Sequence, residues 1–383
     1  MPIYLDNITT TKPSLAAITA MIPFFEDAFG ALSSPHAMGQ SLLPEIEKSL
    51  RTIYDFVHAS DEDQCVVTSC GAEAVSQIIF SVYKEVTKKE GKNHFVTSSI
   101  DEAPAILALS RLEDEGCYLR MAQVTQGGYV TEETVIEALT PRTALVSLSW
   151  ACALTGVVQP IEQIAKLCTS RNILLHVDAT HALGKLTLYG DTRPDYITFN
   201  GEQLHAPKGI GMIIAKKNAP LLPLISGEED TIKKRGGALN MPLLAALAQA
   251  VVEARQNQDL YCLEVARLRD KFEKSIVAAY PEAHILFHNE ERLPHCSTIA
   301  FPGIKSEALA YVLNRKGVYA NMGGGAFQQM EIVLKACAQN PLYTPCALSF
   351  SLSKYTTEQE IDEAVAIICQ VASRLRRASK EIV

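Results

Sequence analysis

Six short, nearly unbroken apolar segments set the strongest limit on how this chain can fold. They cover residues 63–69, 94–98, 143–149, 173–178, 196–199 and 209–215. A strand with one face in water alternates apolar and polar residues, whereas an unbroken apolar strand needs cover on both faces. Helical spacing follows several of these segments: after Cys70, at 104–112 ending near Gly116, and at 161–168 beyond a turn at Gly156. Strand and helix in alternation predict an α/β fold with a large, mostly parallel sheet. Past Gly236 and Gly237 the texture changes. Residues 242–279 read as one long helical stretch, followed by strands at 297–303 and 347–352 and a helix at 306–316. Thr357 opens a Thr-Glu-Gln-Glu start to a last amphipathic helix and is its expected N-cap. This tail predicts a smaller α+β domain joined through the long helix.

Composition narrows the class of function. Hydrophobic residues make up 48% of the 383 and charged residues 20%, enough for a sizeable core. Basic residues number 35 and acidic residues 43, a net charge of -8, which argues against a nucleic-acid partner. No apolar run reaches the ~20 residues that span a bilayer. The start, Met1-Pro-Ile-Tyr-Leu-Asp, lacks the basic and apolar regions of a signal peptide, so the expected location is cytoplasmic and no membrane partner is expected. Ten cysteines without a CxxC pair read as reduced thiols, mostly in the core, and fit no zinc pattern.

In open α/β sheets ligands bind beyond the carboxyl ends of the strands. The residues there are Cys70-Gly71-Ala72, Asp101-Glu102, Ala151-Cys152-Ala153, 178–181 and 200–205. Asp178 closes an apolar strand, where a carboxylate is costly unless a cation, a donor or a ligand meets it. A helix cap is the structural alternative. The Gly71 turn into a helix could cradle a phosphate with backbone amides, although such turns also arise simply to start helices.

The ordered motifs resemble those of NifS/IscS-type cysteine desulfurases, members of the class V aminotransferase group with the pyridoxal-phosphate (PLP) fold type I. The similar segments are Tyr4-Leu-Asp-Asn-Ile-Thr-Thr-Thr, Ser33-Ser-Pro-His-Ala-Met-Gly, Thr68-Ser-Cys-Gly-Ala-Glu and His176-Val-Asp-Ala-Thr-His. Further on come Ala206-Pro-Lys-Gly-Ile-Gly, the run from Leu293 to Gly303, Ser306-Glu-Ala-Leu and Tyr355-Thr-Thr-Glu-Gln-Glu-Ile-Asp. The resemblance covers almost the whole chain. It implies a large α/β domain over 13–255, a small α+β domain over 1–12 and 256–383, and a homodimer with 226–237 as a cross-subunit loop. It also implies PLP as the family cofactor, Asp178 as the partner of the pyridine nitrogen, and a pocket at Gly71, Ala72, Glu102, Asp178, His181, Asn200, Glu202 and Gln203.

The departures from the family pattern fall on that pocket. The His-Lys pair that should carry the Schiff-base lysine reads Glu202-Gln203, and an amide cannot form an imine. The nearby phosphate-binding Ser reads Asn200, the Thr of the phosphate cup Ala72, and a second phosphate-binding Thr Ala238. The ring-stacking His reads Glu102, the Asn for the phenolic oxygen falls near Ala153, and the carboxylate-binding Arg reads Ser349. Gly323 stands where the persulfide cysteine is expected. Each lost charge-assisted contact weakens binding by ~1.5–3 kcal/mol. The expectation is a protein that binds PLP weakly or not at all, without catalytic residues and without a metal. Its role would be binding or regulation linked to sulfur transfer, with an active paralogue or a sulfur acceptor as partner. The alternative is an active PLP-dependent desulfurase, lyase or aminotransferase with a rearranged site. Lys208 is then the replacement lysine to weigh, and Cys70 or Cys152 the nucleophile, with core filler as the plainer role for both. A third option is a metal held where Asp178, His181, Glu202, His205 and Glu102 converge.

Overall fold

The computed structural model describes residues 2–187, 192–227, 234–324 and 328–381. Seven strands form the main sheet: β1 (Gln64–Thr68), β2 (His94–Ser98), β3 (Tyr118–Ala122), β4 (Thr143–Ser149), β5 (Leu174–Asp178), β6 (Tyr196–Asn200) and β7 (Gly211–Ala215). Their order is β1-β7-β6-β5-β4-β2-β3, and β7 alone runs antiparallel to both neighbours. The unbroken apolar strands are explained by two hydrophobic clusters, one on each face. Val67, Val96, Val146 and Ile214 enter one cluster, while their neighbours Val66, Phe95, Leu145 and Ile213 enter the other. Successive side chains on a strand point to opposite faces, so both must be apolar when both faces are covered.

β3 gave no apolar run because it is an edge. Tyr118 is 64% exposed and only Ala122 of its five residues is buried. The long helical stretch is three pieces rather than one: Met241–Gln256, a short Gln258–Leu260, and Ala266–Ala279 beyond a wider turn at Tyr261–Val265. Asn257 marks the break, where its side-chain amide donates to the Glu253 carbonyl at 2.7 Å and competes with the helical ladder.

The second sheet is antiparallel, in the order β10-β9-β8, from β8 (His284–Leu286), β9 (Cys296–Ala300) and β10 (Ala347–Ser351). Its apolar face packs with the helices Ala266–Ala279, Ser306–Arg315 and Glu358–Glu381 around Phe272, Phe301 and Phe350. The last helix starts as expected. Thr357 Oγ1 accepts the Glu360 amide at 3.2 Å and Glu360 Oε2 accepts the Thr357 amide at 2.8 Å, a reciprocal capping box. The N-terminal Ile3–Tyr4 pairs in parallel with Val318–Tyr319, and Asp6 bridges to Ser351. The first residues of the chain therefore reach the carboxyl ends of the main sheet. Among the described residues no helix is long and apolar enough to cross a membrane.

Candidate functional site

A cavity of about 540 Å³ opens at the carboxyl ends of β1, β5 and β6. Gly71, Ala72, Glu102, Asp178, His181, Asn200, Glu202 and Gln203 all line it, together with Gly323. Strand direction gathers them, because parallel strands deliver their following loops to one edge.

The turn after β1 forms one wall. Cys70 is the extended N-cap of the helix Gly71–Val82, and its Sγ accepts the Glu73 amide at 3.4 Å. Gly211 on β7 lets this turn approach, since a Cβ there would lie 2.5 Å from the Cys70 carbonyl carbon. Glu73 Oε2 accepts the Ser69 amide at 2.7 Å and Arg235 Nε donates to Glu73 Oε1 at 3.1 Å. Burial alone would raise the Glu73 carboxyl, but Ser69 and Arg235 hold it below the usual range. Arg235 is thus occupied, and with Ala238 it lines a separate cavity of about 180 Å³. Ala238 does not reach the main cavity. The expected cross-subunit loop lies partly outside the described residues, at 228–233.

Asp178 ends β5 at the cavity floor. Its Oδ1 accepts the Thr180 amide at 3.0 Å, and burial pushes its carboxyl up, with Glu102 adding to the rise. Glu102 caps the helix Ala103–Arg111 without a side-chain cap bond. Its Oε1 stands 3.6 Å from His181 Nε2, too far for a hydrogen bond. His181 is 8% exposed and its Nδ1 has no partner among the described residues. Asp101, the neighbour of Glu102, instead serves the fold. It accepts from Thr97 Oγ1 and the Ser98 amide, both at 2.8 Å, and from the Ser149 amide, tying β2 to β4.

The turn after β6 replaces the expected lysine. Gln203 is 3% exposed, and its Nε2 donates to the carbonyls of Ile8 at 3.0 Å and Thr9 at 2.8 Å. The amide therefore fastens the N-terminal segment and does not project as a reactive group. Glu202 accepts from Thr10 Oγ1 at 3.1 Å and from Asn200 Nδ2 at 3.3 Å. Gly323, with a positive φ of 85°, donates its amide to Asn321 Oδ1 at 2.6 Å. Residues 325–327 of that loop lie outside the described residues.

Several sequence candidates sit elsewhere. His205 does not converge with the cavity group. Its left-handed backbone (φ 66°) turns the ring to the opposite side, where Nδ1 meets the Lys12 carbonyl at 2.8 Å and Nε2 the Tyr261 hydroxyl at 3.1 Å. Among the described residues no group of three or more His, Cys, Asp or Glu could hold a metal ion. Lys208 is exposed and does not line the cavity. Cys152 is buried in a core cluster, and Ser349 is buried on β10 with its Oγ unpartnered. Cys70 differs from the expected core thiols, being exposed at the cavity. Ala153 lines the cavity as expected of its position.

The sequence reading missed Asp6, Thr9 and Asn321, which also line the cavity beside Thr180 of the expected 178–181 segment. Asn321 Nδ2 donates to Thr9 Oγ1 at 2.6 Å, joining segments 312 positions apart. The Tyr4–Thr11 motif was the available signal.

PLP carries a phosphate dianion and needs a lysine. The first amides of the Gly71–Val82 helix suit a phosphate, but among the described residues no lysine or arginine lines the cavity, while Asp6, Glu102, Asp178 and Glu202 do. The residues present do not fit the group.

The Aminotransferase class-V family model matches residues 3–364. Cysteine desulfurase NifS from Azotobacter vinelandii is 32% identical over 385 residues, 98% of this chain and 94% of that protein. A cysteine desulfurase from Bradyrhizobium diazoefficiens is 31% identical, covering 100% of this chain and 97% of its own. Among solved structures, a NifS-like protein superposes with a TM-score of 0.91 at 27% identity, over 98% of this chain and 100% of that one. The apo cysteine desulfurase of Thermococcus onnurineus NA1 shares the fold, with a TM-score of 0.84 at 16% identity over 98% of this chain and 95% of that one.

Proposed function

Because the chain belongs to the class-V aminotransferase family and has the PLP fold type I of its NifS-like members, we propose that it is a desulfurase-fold protein that works by binding, without Schiff-base catalysis. One observation carries this reading. Where the lysine is expected, Gln203 gives its amide to two backbone carbonyls of the N-terminal segment, and among the described residues no lysine lines the cavity. The proposal includes a regulatory role linked to sulfur transfer, in the cytoplasm, alongside an active paralogue or a sulfur acceptor, and kinship with cysteine desulfurases supports the link to sulfur.

The cavity positions of the sequence reading are proposed as the binding residues, with no residue in a catalytic role. The division into 13–255 and 1–12 with 256–383 is proposed on the two largely separate cores around Leu247 and Phe272. A homodimer is proposed because Leu15 and Phe25 on the first helices and Phe29 just beyond them, at 78%, 63% and 64% exposure, leave an apolar surface.

The names of the relatives favour the family activity instead, and this second reading is tested by the same experiment. Purified full-length protein is dialysed against PLP, then given cysteine. The expected outcome is no visible absorbance after removal of free PLP, no borohydride-fixed label, and no sulfide or alanine. Fixed label together with sulfide and alanine, lost on Lys208→Ala, would establish the second reading.

A further inference from the structure

We propose that residues 6–12 form a strap that latches the second sheet to the main sheet along one wall of the cavity, with Gln203 as its catch. The ground is where the bonds of two adjacent residues go. The Ile8 amide donates to Ser351 Oγ on β10 at 2.8 Å, while the Ile8 carbonyl accepts from Gln203 Nε2 on the turn after β6 at 3.0 Å. The Thr9 carbonyl accepts from the same Gln203 amide at 2.8 Å, while Thr9 Oγ1 accepts from Asn321 Nδ2 at 2.6 Å. Asn321 is itself tied to β10, exchanging backbone bonds with Ser349 at 2.9 and 2.7 Å. Each of the two residues therefore holds the main sheet with its carbonyl and the second sheet with its other polar group.

The two grips are made of different bonds. Toward β10 the backbone takes part: the Ser351 amide donates to the Leu5 carbonyl at 2.8 Å, and Asp6 bridges to Ser351. Toward the main sheet the strap is held by side chains. Besides Gln203, Thr10 Oγ1 donates to Glu202 Oε2 at 3.1 Å, Thr11 Oγ1 donates to the Glu202 carbonyl at 2.5 Å, and His205 Nδ1 meets the Lys12 carbonyl at 2.8 Å. The backbone joins that turn only at Ser14, whose amide donates to the His205 carbonyl at 2.8 Å. Thr9 and Lys12 are exposed. A surface segment held by side-chain bonds opens locally without unfolding the core, so the strap releases from the turn and stays with β10.

The strap is also part of the site. Asp6, Ile8 and Thr9 line the cavity beside Gln203 and Asn321. A molecule in the cavity touches strap, catch and anchor together, so it binds the latched form better and shifts the population toward it. A second seam keeps the sheets joined when the strap is off. There the Leu293 amide donates to the Gly156 carbonyl at 2.8 Å and the Val158 amide to the Glu291 carbonyl at 2.9 Å. Movement about that seam is the hinge-type change that the strap controls.

Hydrogen–deuterium exchange of the full chain at pH 7, read by mass spectrometry, tests the latch from both ends. Gln203→Leu removes the catch on the main-sheet side. The expected result is exchange about tenfold faster in 6–12 and also in 318–322, with β5 and the helix Ala266–Ala279 unchanged. Asn321→Ala, on the other side, should speed exchange at 201–206 across the strap. A bond that serves only its own neighbourhood would not carry the effect in both directions. Circular dichroism checks that each variant is folded. Should Gln203→Leu unfold, Thr11→Val, which removes the bond to the Glu202 carbonyl, carries the same expectation. The proposal is overturned if the distant segment exchanges unchanged in a folded variant, or if β5 and that helix speed up as much as the strap. No ligand is added, so its failure leaves the reading without Schiff-base catalysis untouched.

Discussion

The turn at Glu202–Leu204 divides two regions built on opposite terms. In front of it lies the wide cavity, with four carboxylates and an imidazole whose Nδ1 has no partner among the described residues. Behind it the void among Lys185, His205, Tyr261 and Lys354 is about 10 Å³. There Lys185, His205, Lys354 and Glu253 are all engaged. Lys185 Nζ donates to the Gln203 carbonyl at 2.9 Å, His205 holds Lys12 and Tyr261, and Lys354 pairs with Glu253, which also accepts from Ser14. Burial without partners is costly and burial with partners is tolerable, so the rear region reads as fold and the front as a place for a ligand.

Acidification gives the sharpest contrast, because it strikes the closed regions first. Burial holds His205 at about 4, and His176, bonded to Ser147 and Thr198 within the sheet, at about 3. The unfolded rings bind protons near 6.5, so the unfolded state takes up more protons below that pH. The stability is fully present above pH 6.5 and falls as the pH drops toward these folded values. Urea unfolding at pH 7 and pH 4.5 should differ by about 5 kcal/mol for the pair. His176→Gln should remove about half of that slope, and an unchanged slope would refute the assignment.

Within the rear region, Lys354→Met leaves Glu253 part-buried without its cation. A loss of about 3 kcal/mol is expected in the same assay at pH 7. A loss no larger than that of an exposed pair would mean that the two regions are built alike.

The smallest effect has the opposite sign. Asp178→Asn keeps the acceptor for the Thr180 amide but removes a carboxylate that burial disfavours. Stability at pH 7 should rise by about 0.5–2 kcal/mol, as it does where a site has been kept for function at the expense of folding. A destabilised but folded variant would place Asp178 with the structural groups behind the turn.

Much of the fold was legible along the chain. The unbroken apolar strands demanded two covering layers, and Val66 and Val67 do enter different clusters. The capping box at Thr357 and Glu360 was written within four residues. Strand β3 was not legible, because an edge strand with exposed Tyr118 need not be apolar. The break at Asn257 escaped for a different reason, since it is a local departure of one residue's backbone from helical angles (φ -100°, ψ 8°) within a favourable helical composition.

The sequence by itself determined the family architecture and the replacement of its lysine by Gln203. Both depend on residue identity and on order along the chain. Only the tertiary structure decided which polar groups share one cavity. It brought Asp6 and Thr9 from the start of the chain and Asn321 from near its end to the strands, and it turned His181 toward Glu102. His205, two residues beyond Gln203, went to the rear because its backbone enters the left-handed region. Burial patterns repeat locally and can be read in a line, whereas a ligand site is a meeting of chain segments whose partners only folding selects.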